Sequence, residues 1–302
     1  MPKVSVACRS TSSVNRASSH VSIVQRTTSP WVWASGHMGI EEVESAVTAK
    51  PNGFFLKYGP HARYVPPKDF DHELPASGIP EVAFVGRSNV GKSSLLAAIL
   101  GTKKKVVRIS KTPGCTSSVN YFSVGDTDLC NNNLGSKAKK NHGLFLVDLP
   151  GYGFSKRGSR AEQQRWGSIM DSYLTTRGFA TLRRVLVLVD VRRGPLPEDW
   201  WVMERLSASH VPFQVVLTKV DTVLKKSSSP SSLNPLTSAF RHGFNEQDYL
   251  VLKARSMQLL EELARWCEVT ATNLPTVHAV SAKEGSGIRE LQAAISAAAL
   301  LS

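Results

Sequence analysis

The sequence predicts an α/β fold: a mostly parallel sheet with helices on both faces. Three observations carry this. From Glu81 onward, short apolar runs alternate with amphipathic stretches. Strands buried on both faces read as continuous apolar runs, and the interleaved helices make the crossovers of a parallel sheet. One octapeptide, Gly86-Arg87-Ser88-Asn89-Val90-Gly91-Lys92-Ser93, joins such a run to a helix-like stretch. The chemistry-bearing residues then fall just after strand-like runs, where open α/β sheets place their ligands.

In chain order, the apolar runs are Val82–Val85, Val119–Val124, Leu144–Val147, Val185–Val189, Phe213–Leu217 and Val277–Val280. Helical spacing marks Ser93–Leu100, Ala161–Thr176, Glu198–Ser207, Ser256–Val269 and Gly287–Leu300. Two polar, turn-rich stretches, 126–142 and 225–245, interrupt the alternation and read as surface insertions. No internal repeat is present.

Residues 1–40 differ from the rest. They hold Lys3, Arg9, Arg16 and Arg26, nine serines and no acidic residue; the first is Glu41. That composition fits a disordered segment that addresses the chain to an organelle, mitochondrial or plastid. Residues 41–79, proline-rich with several aromatics, read as an irregular arm. The domain itself is expected over 80–302.

The chain of 302 residues carries 37 Lys+Arg against 24 Asp+Glu, a net charge of +13. Such an excess suits a polyanionic partner, either nucleic acid or an anionic membrane surface. Cys8, Cys115, Cys130 and Cys267 are scattered without a C-x-x-C pair, which argues against a zinc site or a disulfide framework. No apolar run approaches the roughly 18–20 residues needed to span a bilayer.

The octapeptide fits G-x-x-x-x-G-K-[ST] in its strand–loop–helix setting. Main-chain N–H groups and a helix N-terminus converge there, and both favour a phosphate. Gly86 and Gly91 permit tight turns and close approach. Lys92 supplies charge for the terminal phosphates and Ser93 a hydroxyl for Mg²⁺.

Asp148-Leu149-Pro150-Gly151 follows the apolar run Leu144–Val147. Its Asp148 can hold Mg²⁺ through water, and the Gly151 N–H can meet the γ-phosphate. Between them, Lys111-Thr112-Pro113-Gly114-Cys115-Thr116 places Thr116 in a Gly/Pro loop that can reach the metal and close over the γ-phosphate. Thr218-Lys219-Val220-Asp221 ends another strand. The Asp221 carboxylate can accept two hydrogen bonds from guanine, and adenine offers no matching pair of donors. Lys219 can lie along the purine. Ser281-Ala282-Lys283 ends the last strand, where the Ala282 N–H can meet the guanine 6-oxo group.

These residues together resemble the translation-factor-type small GTPases, and specifically the EngB/YihA family of ribosome-assembly GTP-binding proteins. Ser110-Lys111-Thr112-Pro113-Gly114, Asp148-Leu149-Pro150-Gly151-Tyr152-Gly153 and Val189-Asp190-Val191-Arg192 strengthen the match, which covers roughly residues 80 to 300. The resemblance implies a P-loop GTPase domain and a GTP-binding switch in assembly of the large ribosomal subunit. It also implies an association with cell division. It makes Ser93 and Thr116 the Mg²⁺ ligands, with Asp148 beside them. The nucleotide contacts become Gly86, Arg87, Ser88, Asn89, Val90, Gly91, Lys92 and Ser93. With them go Gly114, Cys115, Thr116, Ser117 and Ser118, then Asp148, Leu149, Pro150 and Gly151. Thr218, Lys219, Val220 and Asp221, and Val280, Ser281 and Ala282, complete the set. Cys115 departs from the family, which often carries Arg there.

Hydrolysis is expected to rest on Lys92, Thr116, Asn89 and Gly151. Many GTPases place Gln directly after the D-x-x-G glycine to orient water. Tyr152 stands there and is unsuited to that task, so the expected turnover is slow and a ribosomal factor is expected to complete the site. Asn89, by the same resemblance, can help hold a K⁺ ion. The basic residues Lys103-Lys104-Lys105, Arg108 and Lys111, then Lys156, Arg157 and Arg160, and finally Arg183, Arg184, Arg192 and Arg193, can meet rRNA phosphates. Two other roles fit the same residues: a GTP-dependent rRNA placeholder with negligible turnover, and a division regulator with a protein partner.

Overall fold

The computed structural model describes residues 29–34, 53–65, 79–102, 119–125, 143–152, 160–224, 246–270 and 273–300. The elements run β1 (Val32–Ala34), α1 (Gly53–Tyr58), β2 (Arg63–Val65), β3 (Glu81–Gly86), α2 (Lys92–Leu100), β4 (Asn120–Gly125) and β5 (Gly143–Asp148). They continue with α3 (Arg160–Thr181), β6 (Leu182–Asp190), α4 (Pro197–Ala208), β7 (Phe213–Thr218), α5 (Glu246–Thr270), β8 (Asn273–Ala279) and α6 (Ile288–Leu300).

Every expected strand and helix forms, most of them a few residues longer than the periodicity indicated. The strands make one eight-stranded sheet in the order β1-β8-β7-β6-β3-β5-β4-β2. Its centre, β8-β7-β6-β3-β5, is parallel. At one edge β4 and β2 turn antiparallel, and at the other β1 does. The parallel strands point their carboxyl ends the same way, which brings Gly86, Asp148, Asp190 and Thr218 to one end of the sheet.

Two apolar clusters fill the space between sheet and helices. One packs α3, α4 and α5 on the face that carries Val85, Val187 and Val215. The other packs α1, α2 and α6 on the face that carries Phe84, Leu188 and Val216. Alternate strand residues therefore serve opposite cores, as the two-residue strand period demands. Helix ends are set locally. Helix α2 stops at Gly101, whose left-handed backbone (φ 62°) returns its N–H to the Ala97 and Ala98 carbonyls, a glycine C-cap. Helix α4 starts with Pro197, and the Asp199 carboxylate accepts the Leu196 N–H at 2.7 Å, which satisfies an end group that the helix leaves open.

Two stretches differ from expectation. Residues 29–34, inside the segment read as disordered targeting sequence, belong to the sheet. Trp31, Val32, Trp33 and Ala34 are buried, and β1 pairs with β8 through Val32↔His278 and Ala34↔Thr276. Burial of two tryptophans against the α5-side core outweighs the polar flanks. Within the expected irregular arm, 53–65 forms α1 and β2. Phe55 is buried in the α2-side core, and Tyr64 packs on Phe122 of β4. Both surface insertions lie outside the described residues.

Candidate functional site

The octapeptide loop turns at the end of β3 because two of its positions tolerate no side chain cheaply. A Cβ on Gly86 would stand 2.9 Å from Leu188 Cβ and from Val90 Cγ1. Gly91 sits at φ 107° and opens helix α2. Asn89 is also left-handed (φ 64°), a conformation that Asn adopts more readily than most residues.

The loop is pinned from three sides. Ser88 N–H donates to the Tyr152 carbonyl at 2.7 Å, and Arg87 bridges Tyr152 in parallel fashion. Thr218 Oγ1 donates to the Val90 carbonyl at 2.8 Å. Lys219 Nζ donates to the Asn89 carbonyl at 2.6 Å and to Asp190 Oδ2 at 3.0 Å. Three expected pieces, the loop, the strand end with Asp148–Gly151 and the strand end with Thr218–Asp221, thus contact one another.

Lys92 Nζ forms an ion pair with Asp148 at the end of β5. Next to it, Ser93 Oγ is buried with no hydrogen-bond partner. A buried hydroxyl left unpaired is costly. One beside a carboxylate has the chemistry of half of a hard-cation site. On that test Ser93 and Asp148 fit Mg²⁺.

The Asp148–Tyr152 segment is fixed by its neighbours. Leu149 N–H donates to the Phe84 carbonyl at 3.0 Å. Trp166 Nε1 donates to the Pro150 carbonyl at 2.8 Å. Tyr152 is buried and donates its hydroxyl to Asp199 Oδ1 at 2.7 Å, with its ring edge-on to Trp166. Burial first, and then the neighbouring Asp199 carboxylate, push the Tyr152 phenol well above its ordinary pKa. The side chain packs as a neutral hydrogen-bonded aromatic and points into the α3–α4 side of the core.

At the far side, Ser281 Oγ donates to Asp221 Oδ1 at 2.6 Å and accepts the Glu284 N–H at 3.1 Å. Val220 N–H donates to the Val280 carbonyl at 3.3 Å. Ser281 therefore aims the Asp221 carboxylate, whose remaining lone pairs stay able to accept donors. Lys219 has φ 60° and turns the chain there.

The described part of the sequence-derived set thus gathers at one end of the sheet. Gly114, Cys115, Thr116, Ser117 and Ser118 lie outside the described residues. So do Lys103-Lys104-Lys105, Arg108, Lys111, Lys156 and Arg157. Arg160 opens α3, and the other two pairs of arginines lie at opposite ends of one strand. Arg183 and Arg184 start β6, and Arg192 and Arg193 follow its other end. Arg184 and Arg192 are eight residues apart, roughly 26 Å at the rise of an extended chain. Both Arg183 Nε and Arg184 Nε are buried, and the two residues are only partly exposed.

The comparisons with known proteins bear on the same residues. A family model described as 50S ribosome-binding GTPase matches residues 81–219. A probable GTP-binding protein EngB of Hyphomonas neptunium is 38% identical over 229 residues, which are 76% of this chain and 83% of the relative. One from Brucella melitensis is 35% identical over 256 residues, 85% of this chain and 89% of the relative. The chain belongs to the EngB family of GTP-binding proteins. A crystal structure of a probable GTP-binding protein engB aligns with a TM-score of 0.42 at 21% identity, over 71% of this chain and 96% of that one.

Membership in the EngB family makes GTP and GDP the ligands. Three residues that support the candidate site had no assigned role in the sequence reading. Asp190 anchors Lys219 and also accepts the Arg192 N–H at 3.0 Å and its guanidinium at 2.9 and 2.6 Å. Burial alone would raise the Asp190 carboxyl, but the bonds from Arg192 and Lys219 outweigh it and hold the group well below the ordinary carboxylate range. Asp199 and Trp166 hold the EngB-type Asp148–Tyr152 segment. For Asp190, the position at a strand end was a usable signal. Asp199 and Trp166 lie 47 and 16 residues from their hydrogen-bond partners, and nothing local in the sequence marks those contacts.

Proposed function

We propose that this EngB-family protein is a slow, Mg²⁺-dependent GTPase that acts as a nucleotide-dependent switch in assembly of the large ribosomal subunit of an organelle, the mitochondrion. The observation that carries the switch reading is the bonding of the loop 86–93 to both neighbouring strand ends, through Tyr152 on one side and Lys219 on the other. A change at Gly151 on loss of the γ-phosphate therefore has a direct route to the rest of the site.

In this reading Gly86–Ser93 wrap the phosphates, Lys92 neutralises them, and Asp221 with Ala282 reads guanine. Ser93, Asp148 and Thr116 hold Mg²⁺. The metal, when bound, would neutralise charge developing on the phosphate oxygens. Asn89 offers a place for a K⁺ ion. The buried Tyr152 side chain is spent on Asp199, so water is oriented by another group, supplied by a ribosomal partner. The acid-free segment before Ser29 supports an organellar address, and the GTPase unit takes in β1, α1 and β2 together with the elements from β3 onward.

Co-sedimentation with large mitochondrial ribosomal subunits, in a non-hydrolysable GTP analogue against GDP, tests the switch. Binding in the GTP state alone supports it, and no binding in either state defeats it. Single-turnover rates in K⁺ and Na⁺ test the cation, and equal rates remove it. Replacing Asp221 with Asn should weaken guanine preference. Imaging a fluorescent protein fused behind residues 1–28 tests the address.

A further inference from the structure

A groove of about 1080 Å³ runs between α3 and α4 beside Tyr152, and its lining includes none of the candidate nucleotide contacts. It is at the upper end of the size of small-molecule sites. Trp166 and Trp201 form its apolar wall, their rings 5.6 Å apart. Trp201 remains 41% exposed. Isolated exposed apolar residues are ordinary, but a tryptophan at the rim of a groove marks a contact surface.

Two further observations give the groove a preferred occupant. Gly167 stands inside the 22-residue helix α3, where glycine costs about 0.5–1 kcal/mol relative to alanine. It faces Trp201: a Cβ there would come within 3.9 Å of the indole. Any longer side chain would fill the groove. Glu198 lines the other wall, and its Oε2 is buried with no hydrogen-bond partner. The guanidinium of Arg205 is already committed to Asp171 and lies over the Trp201 ring. An unpaired buried carboxylate oxygen calls for a cation. The wall would repel a phosphodiester, although the chain as a whole carries +13.

We propose that this groove docks a protein segment that sets an apolar side chain against Trp201 and Gly167 and a Lys or Arg against Glu198. Tyr152 and Asp199 connect it to the candidate nucleotide site: the Tyr152 hydroxyl is bonded to α4, and Trp166 to the Pro150 carbonyl. A shift of Gly151 therefore alters the separation of α3 and α4, so docking follows the nucleotide. The proposal goes beyond the ribosomal reading, and its nucleotide dependence rests on the switch reading above.

The test uses the full chain, a fluorescent amphipathic Leu/Lys helical peptide, a Leu/Glu peptide of the same length and a single-stranded RNA oligonucleotide. Anisotropy titrations are made in GDP and in a GTP analogue. The expected result is saturable binding of the Leu/Lys peptide, different in the two nucleotides, with none for the Leu/Glu peptide. Gly167→Leu and Glu198→Lys should each weaken it by roughly tenfold or more, the scale of losing one anchor or one charge pair. Retained GDP binding and melting temperature show that the variants fold. No peptide binding, binding unchanged by both variants, or displacement of the peptide by RNA would overturn the proposal.

Discussion

Lys219 Nζ donates to the main-chain oxygen of Asn89, 130 residues away in sequence, at 2.6 Å. The same ammonium pairs with Asp190. A residue from the strand end proposed to read guanine thereby holds the shape of the 86–93 loop. Lys219→Met removes both bonds, and a hydrogen bond to a charged group is worth about 1.5–3 kcal/mol. The expected result is a loss of roughly tenfold to a hundredfold in affinity, equal for GTP and GDP. Isothermal titration with both nucleotides checks it. A loss confined to GTP would mean that the lysine acts on the terminal phosphate.

Tyr152→Phe leaves Asp199 Oδ1 without its 2.7 Å donor. A buried acceptor stripped of its partner costs about 1–3 kcal/mol, so thermal or urea unfolding should show a loss of that size. The hydroxyl points to α4, so single-turnover GTP hydrolysis should stay within about twofold of the parent. A fall of more than about tenfold would give Tyr152 a chemical part.

At the opposite end of β3, Glu81 is fully buried and holds Arg177 at 3.0 Å, while the Tyr173 hydroxyl donates to it at 2.8 Å. Burial raises the Glu81 carboxyl to about 7, against the lowering effects of Arg177 and Tyr173. A carboxyl raised on folding contributes stability that is full below about 4.5 and is lost as pH climbs through about 7. Arg177→Met leaves that charge unpaired and should cost about 3–5 kcal/mol at pH 8. The cost should shrink at pH 5, where Glu81 is protonated. Denaturant midpoints at the two pH values decide this, and an equal cost at both would refute it.

His278 on β8 is buried between β7 and β1, with the Gln214 amide nitrogen 2.5 Å from Nδ1 and Nε2 unpartnered. Desolvation, then the nearby Arg184, pulls its pKa down to about 3. A base depressed in this way contributes stability that is full above its ordinary value of about 6.5 and lost as pH falls toward about 3. The melting temperature of His278→Gln should therefore fall less steeply between pH 7 and 5 than that of the parent. Parallel curves would show that His278 does not titrate on unfolding.

Gly86→Ala places a methyl against Leu188 and Val90 at 2.9 Å. The turn must widen, and overpacking of this kind costs about 1–3 kcal/mol. GTP and GDP affinity should drop with it, because the loop N–H groups no longer converge. Unchanged affinity would show that the turn's shape is not what the nucleotide reads.

Much of this molecule was legible in one dimension. Apolar runs such as Val185–Val189 announce strands buried on both faces, because such strands have no polar side to show. The loop 86–93 announces itself because its chemistry needs glycine, lysine and a hydroxyl at set spacing along one turn. Where a ligand is held by main chain and by contiguous residues, the requirement is local, and local requirements are written in order along the chain.

Other features were settled only by packing. Trp31 and Trp33 lie in an acid-free, serine-rich segment whose composition points to disorder, yet burial against the α5-side core makes them strand. Arg184 and Arg192 look alike in sequence, but one sits half-buried at the start of β6 and the other lies exposed past its end. The partners Tyr152–Asp199, Lys219–Asn89 and Ser281–Asp221 are 47, 130 and 60 residues apart. Such contacts depend on which strand neighbours which and on the side from which a helix approaches. No local propensity encodes that, because the free energy that selects it comes from closing the two cores as wholes.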